Sequence, residues 1–218
     1  MSLICAGLFL CMPRYETEHQ LSHSLTLSSV ARIIGQKTVL PAIMIALLAC
    51  IFSGLATFQS LYADLRGLNE STFFITFTVV TVALRFSVAS QIARLPIYSL
   101  AISLIVIIMV SLGLLAFNKG SLPLYIVTSA TFAVGYGLSY STLNAIAVNV
   151  AESRRLSISA SSQIFTLFYF IGIFGFPFVA DQLISLVSMD AMLLALFGIG
   201  FGAMALGALL KVKTEESY

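Results

Sequence analysis

The chain has 218 residues, 59% of them hydrophobic and 9% charged, with a formal net charge of +2 and a mean hydropathy of +1.03. Soluble globular domains carry roughly a quarter charged residues, so this composition excludes a water-soluble domain and predicts an all-α integral membrane protein. So small a net charge gives no reason to expect a nucleic-acid partner. The three cysteines, Cys5, Cys11 and Cys50, lie in apolar runs with no second ligand type beside them, so packing is expected of them, with no metal and no cofactor.

In chain order, residues 2–12 form an apolar run of eleven residues, too short to cross roughly 30 Å of hydrocarbon. Residues 1–12 therefore read as the remnant of a preceding transmembrane helix. A signal peptide is the rival reading, but no basic residue precedes the run and no small-x-small site follows it. Residues 13–38 turn polar, with Arg14, Glu16, Glu18, Arg32 and Lys37 among serines, and read as a cytoplasmic loop. His19 and His23 stand four apart, which suits either a shared metal or a solvated loop helix. Six apolar segments of spanning length follow, at about 39–62, 72–90, 97–117, 122–148, 158–180 and 188–210, and residues 211–218 form a polar tail.

Assigning the connectors alternately places Arg14, Arg32, Lys37, Arg85, Arg94, Arg154, Arg155, Lys211 and Lys213 on one side and only Arg66 and Lys119 on the other. Positive charge marks the cytoplasmic side, so both the 13–38 loop and the C-terminus are expected there, in a multi-pass protein of the inner membrane. With that orientation the six spans form two triplets of opposite topology, an arrangement used by many transporters.

Polar residues follow helical faces in four of the spans: Ser53, Thr57, Ser60 and Asp64 in the first; Thr78, Thr81 and Arg85 in the second; Ser162, Thr166 and Tyr169 in the fifth. In the fourth, Thr128, Phe132, Tyr136, Tyr140 and Asn144 recur every four residues, beside Gly135 and Gly137. Such rows line a solute path or hydrogen-bond between helices. The third and sixth spans carry few polar groups and are expected at the periphery, the sixth packing closely through Gly198, Gly200, Gly202 and Gly207.

Three stretches resemble the C-terminal half of a major facilitator superfamily transporter, in its bacterial sugar-efflux or drug-efflux-like branch. They are Phe58 to Leu68 with Phe73 and Phe74, similar to the seventh-to-eighth helix junction; Arg85 to Arg94, where the family repeats its cytoplasmic helix-eight-to-nine motif; and Gly135 to Arg155, similar to the tenth helix and its basic turn. Gly172 to Pro177 also looks like the glycine-proline region of the eleventh helix. The resemblance implies a six-helix bundle of two inverted three-helix repeats that encloses a solute path with an N-terminal six-helix half, missing here or separately encoded. It also implies proton-coupled efflux of a small-molecule substrate by alternating access.

The cavity candidates are Thr57, Gln59, Thr81, Tyr136, Tyr140, Asn144 and Tyr169, whose aromatic faces suit amphipathic or cationic solutes. The cytoplasmic gating candidates are Arg85, Arg94, Glu152 and Arg154. Ala89 and Ala93 stand where the family often has a glycine and an acid, so Arg85 either pairs with Glu152 or extends to the interface. No Asp, Glu, His, Lys or Arg lies in the middle of a complete span, so the proton carrier is expected outside this chain. The chain has no H-E-x-x-H, G-x-S-x-G or phosphate-cradling motif, and an enzyme is not expected. The alternative is a non-transporting membrane fragment, or an accessory subunit of a split transporter. What separates the two readings is the partner, because a half needs its complement to enclose a path.

Overall fold

The computed structural model describes residues 39–87 and 95–215. The expectations for residues 1–38, including His19, His23, Cys5 and Cys11, and those for Ala89, Ala93, Arg94 and the end of the tail lie outside the described residues. The described residues are all helical, in seven elements: α1 (Val39–Thr57), α2 (Gln59–Leu65), α3 (Glu70–Ser87), α4 (Ile97–Phe117), α5 (Leu122–Ser153), α6 (Ile158–Leu186) and α7 (Met189–Glu215). Five of them, α1, α4, α5, α6 and α7 as far as Lys211, are long and apolar enough to cross a membrane. That is the make-up of an all-α, multi-pass membrane protein, since a helix satisfies its own backbone groups in lipid.

The first span ends earlier than its hydropathy predicts. Phe58, at φ −105° and ψ 17°, interrupts the helix after Thr57, and α2 continues from there as a separate short element. In the other direction, α5 and α6 outrun their predicted ends at 148 and 180, because polar residues extend a helix beyond the hydrocarbon.

The most buried of the five long helices is α1, whose Ile45, Leu48 and Ile51 are fully enclosed. It packs mainly on α6 and also on α7 and α5, while α5 packs on α4, α3, α1 and α6. Helices α4 and α7 pack against each other. Close approach depends on particular glycines. A Cβ at Gly135 would lie 2.9 Å from the carbonyl oxygen of Leu104 and 3.0 Å from the amide of Ile108, so α4 and α5 meet backbone to backbone there. The glycines of α7 divide: a Cβ at Gly200 would run into Met109 and one at Gly207 would lie 3.2 Å from Met44 Cε, whereas a Cβ at Gly198 would touch nothing and one at Gly202 only Leu47 at 3.9 Å. Spacing alone does not distinguish glycines that face a neighbour from glycines that face outward.

Two turns are built alike. After α2, Leu68 N donates to Ala63 O at 2.9 Å and Gly67 N to Asp64 O at 3.3 Å; after α5, Leu156 N donates to Ala151 O at 2.9 Å and Arg155 N to Glu152 O at 3.0 Å. Both are Schellman ends, with the left-handed position filled by Gly67 (φ 64°) in one and Arg155 (φ 54°) in the other. The next helix is then capped from the same relative place: Asn69 Oδ1 accepts from Ser71 N, and Ser157 Oγ accepts from Ala160 N. The two stretches read Ala-Asp-Leu-Arg-Gly-Leu-Asn and Ala-Glu-Ser-Arg-Arg-Leu-Ser.

At the α2 turn, Arg66 ties three elements together. Its Nε donates to the Asn118 carbonyl at 2.8 Å, its Nη2 meets Asp190 Oδ1 at 3.1 Å, and the guanidinium lies 4.2 Å from the centre of the Tyr62 ring. Tyr62 in turn donates to the Leu115 carbonyl at 2.7 Å. The Asp190 side chain is 76% exposed, so the ion pair itself contributes little. Arg66→Ala is therefore expected to lower stability by about 1–3 kcal/mol, through the lost charged hydrogen bond and ring contact. Asp190→Asn should stay within about 0.5 kcal/mol. Thermal unfolding of the purified chain in micelles checks both values, and an equal loss in the two variants would assign the latch to the ion pair instead.

Candidate functional site

A cavity of about 800 Å³ opens on the side of the bundle away from α4 and α7, neither of which contributes a lining residue. Helix α3 contributes Phe77, Thr81, Leu84 and Arg85, and α6 contributes Thr166, Tyr169 and Phe170. Helix α5 contributes the stretch Tyr136–Leu138 with Tyr140 and Ser141, and α1 contributes Phe52. Five of the candidate residues read from the sequence thus meet here: Thr81, Arg85, Tyr136, Tyr140 and Tyr169.

The walls are aromatic. Phe52 and Tyr136 are stacked at 4.5 Å between ring centres and 8° between planes, and Phe132 lies parallel beside both, at 5.6 Å from Tyr136 and 6.5 Å from Phe52. Across α5 and α6, Tyr140 meets Tyr169 edge-on at 5.2 Å and Phe165 at 5.4 Å. Quadrupoles favour both arrangements, so rings on these walls offer flat faces at one place and edges at another.

The polar groups of the lining divide into engaged and shielded. Thr166 Oγ1 donates to Ser162 O at 2.9 Å and Ser141 Oγ to Leu138 O at 3.0 Å, both within their own helices. Thr81 Oγ1 is buried with no hydrogen-bond partner among the described residues, and the buried Tyr136 hydroxyl lies against the Tyr169 side chain. Both atoms are shielded by the residues around them, so neither is open to the cavity. Gly137 makes room for one of them, since a Cβ there would lie 3.3 Å from Thr81 Oγ1.

Arg85 is exposed in the last turn of α3, where the helix C-terminus favours a cation. Among the described residues the ion pair formed is Arg66–Asp190, and Arg85 does not pair with Glu152. Glu152 and Arg154 are both exposed at the end of α5, on the side of the bundle where α3 also ends. The described residues contain no group of three or more His, Cys, Asp or Glu side chains able to hold a metal, and Cys50 is half-buried and unpaired.

The remaining cavity candidates lie elsewhere. Thr57 lines a second cavity of about 500 Å³, with Phe52, Ser53, Phe174, Pro177 and Phe178 among its neighbours. Gln59 is buried and its Nε2 donates to the Tyr125 hydroxyl at 2.5 Å, because the interruption at Phe58 turns α2 inward. Asn144 is half-buried and lines neither cavity. Residues four apart overshoot a helical turn by about 40°, so the row from Thr128 to Asn144 rotates by about 160° around α5. Its middle, Tyr136 and Tyr140, faces the cavity, while Thr128 at one end is buried, bonded to Leu124 O and accepting from Ser111 Oγ through its own carbonyl.

Phe52 was not among the candidates, although it lines both cavities. It sits in an otherwise apolar stretch of α1, and only its stacking on Tyr136 gives it a place in the site. A scan against protein-family models finds no match, and neither does a search of the curated proteins. The functional reading therefore rests on the geometry of the cavity.

Proposed function

We propose that this bundle is one half of a secondary transporter of the inner membrane, moving a small organic solute by alternating access with proton-coupled efflux. The observation that carries the reading is the side-opening cavity of about 800 Å³, with aromatic walls and the Arg85 guanidinium in its lining. Acyl chains offer that guanidinium no partner, so in this reading a protein surface, not lipid, closes the open side. That surface belongs to a second six-helix half, and α3 and α6 flank the opening with apolar side chains for it, among them Val79 at 61% and Phe174 at 66% exposure.

Two further features support an inverted repeat of three-helix units, with α1 and α2 together as the first span and α3 as the second. The principal packing pairs correspond when the first three spans are exchanged for the last three: α1 with α6 corresponds to α5 with α3, and α1 with α7 to α5 with α4, whereas α6 packs on α5 and α7 without a comparable counterpart at α3. The matched turns at Ala63–Asn69 and Ala151–Ser157 fall at corresponding places in the two triplets. In the positive-inside orientation Arg85, Glu152 and Arg154 lie at the cytoplasmic end, and the cavity is reached from there. Among the described residues the one ionisable side chain in its lining besides tyrosines is that of Arg85, so in this reading a proton is carried by the other half.

The test uses inside-out membrane vesicles containing the protein in its natural form, a proton gradient, and a panel of naphthyl and phenyl solutes. Gradient-driven uptake that depends on the protein is expected. Tyr140→Ala, which removes one edge-on aromatic partner, should weaken half-saturation for the aromatic solutes about 2- to 10-fold while leaving membrane insertion intact. Absence of uptake across the panel, or poor insertion of Tyr140→Ala with unaltered transport, would return the bundle to an accessory role and Tyr140 to packing.

A further inference from the structure

We infer that the cavity selects a planar organic anion, such as an aromatic carboxylate, in place of the cationic solutes that its aromatic walls alone would favour. The inference deepens the transport reading and rests on it for the role of the site. Aromatic faces attract cations, but this lining already contains a guanidinium and no carboxylate. Arg85 has no ion-pair partner among the described residues, and none of them neutralises its charge. A cationic ligand entering the same space would meet an uncompensated like charge, and an anionic one an available partner.

The hydrogen-bonding groups point the same way. Thr81 lies one helical turn before Arg85, which places both on one side of α3, and both line the cavity. Arginine can only donate, so the charged group of this lining offers N–H groups and no acceptor. Such a donor fork suits a ligand rich in acceptor oxygens. A carboxylate fits the guanidinium fork as well, because its two oxygens match two parallel N–H groups. The flat walls set the rest of the ligand: Phe52 and Tyr136 present a stacked face, and Tyr140 and Tyr169 present edges. A fused or single aromatic ring bearing one carboxylate meets both requirements at once.

The test is equilibrium binding to the purified full chain in nanodiscs, using three probes of one shape: 2-naphthoate, 2-naphthamide and 2-naphthylmethylammonium. The chain has no tryptophan, so naphthyl fluorescence is read against a low protein background. The expected order is naphthoate first, naphthamide next and the ammonium last. Arg85→Gln should weaken naphthoate by about 10-fold or more, as loss of a charged hydrogen bond implies, and leave naphthamide within about 2-fold. Arg85→Lys should retain part of the naphthoate affinity, and unchanged naphthamide binding shows that the variants remain folded.

The inference is overturned if the ammonium binds as tightly as naphthoate, if Arg85→Gln leaves naphthoate unaffected, or if none of the three probes binds the folded chain. Vesicle flux separates this result from the transport reading. Arg85-dependent naphthoate binding without flux of any solute would remove transport and leave the anion site, and flux restricted to cations would do the reverse.

Discussion

Gly172→Ala is expected to lower the unfolding free energy of the bundle by about 3 kcal/mol, at the upper end of overpacking costs. A Cβ at this position would run into the carbonyl oxygen of Ala46 and lie 2.8 Å from Ala49 Cβ. Neither obstacle is the end of a flexible side chain, so relief requires α1 and α6 to move apart. These two helices form the most extensive contact in the bundle, and Ser53 Oγ donates across it to the Gly172 carbonyl at 3.3 Å. Gly175→Ala is the control. Nothing lies within 4 Å of a Cβ there, and the higher helix propensity of alanine should stabilise by up to about 1 kcal/mol. Gly200→Ala should fall between the two, because its obstacle is the far end of the Met109 side chain. Unfolding followed by circular dichroism in the same micelles reads all three. Equal stability of the alanine variants at 172 and 175 would mean that α1 and α6 do not meet backbone to backbone.

The second large effect is expected at Phe52, whose ring lines both cavities and stacks on Tyr136. Removing it in Phe52→Ala joins about 800 Å³ on one side to about 500 Å³ on the other. The cost in stability should be about 2–3 kcal/mol, below the full value for a buried phenylalanine because this ring is only half-buried. The functional consequence follows from the proposed mechanism, in which solute must not be open to both ends of the bundle at once. A cysteine introduced at Thr57, in the second cavity, should then react at least about 10-fold faster with an impermeant thiol reagent supplied from the Arg85 end, as removal of a barrier of about 1.4 kcal/mol implies. The same variant should dissipate a solute gradient in vesicles. Phe52→Leu keeps most of the volume and should preserve the barrier. Unchanged labelling at position 57 in Phe52→Ala, with gradient-driven transport intact, would show that the ring separates nothing.

Several parts of the site are legible from residue type and spacing. Thr81 and Arg85 are four apart on a helix, and four residues is the interval at which neighbouring side chains share a face over one turn. The same interval places Tyr136 with Tyr140. Repeated over five positions the rule accumulates its error, which is why Thr128 and Asn144 end on other sides of α5. Hydroxyls mislead for a different reason. Serine and threonine in a long helix satisfy themselves on the carbonyl one turn back, as Ser129 does on Tyr125 and Ser139 on Gly135, so their presence does not require a wet face. Tyrosine cannot reach its own backbone in this way, so Tyr62, Tyr125 and Tyr136 each depend on what a neighbouring helix brings: a carbonyl, an amide and the Tyr169 side chain, respectively.

Residue type and order are enough to place the protein in its class and to locate its long helices approximately. Both follow from quantities additive along the chain, namely the transfer energy of apolar residues and the length of helix that spans hydrocarbon. The likeness between the turns at Arg66 and Arg154 was also present in the residues, but seven positions of partial identity carry weight only once hydrogen bonds show both as Schellman ends followed by a cap. Other features needed the packed bundle: which glycines are contacts, that Gln59 faces Tyr125 and not the cavity, that Arg85 shares the cavity lining with Thr81 and with no acid among the described residues, and that Phe52 belongs to the site. Each of these depends on the rotation of one helix about its axis relative to another. That rotation is set by the summed packing of many side chains from distant parts of the chain, which no local window of sequence contains.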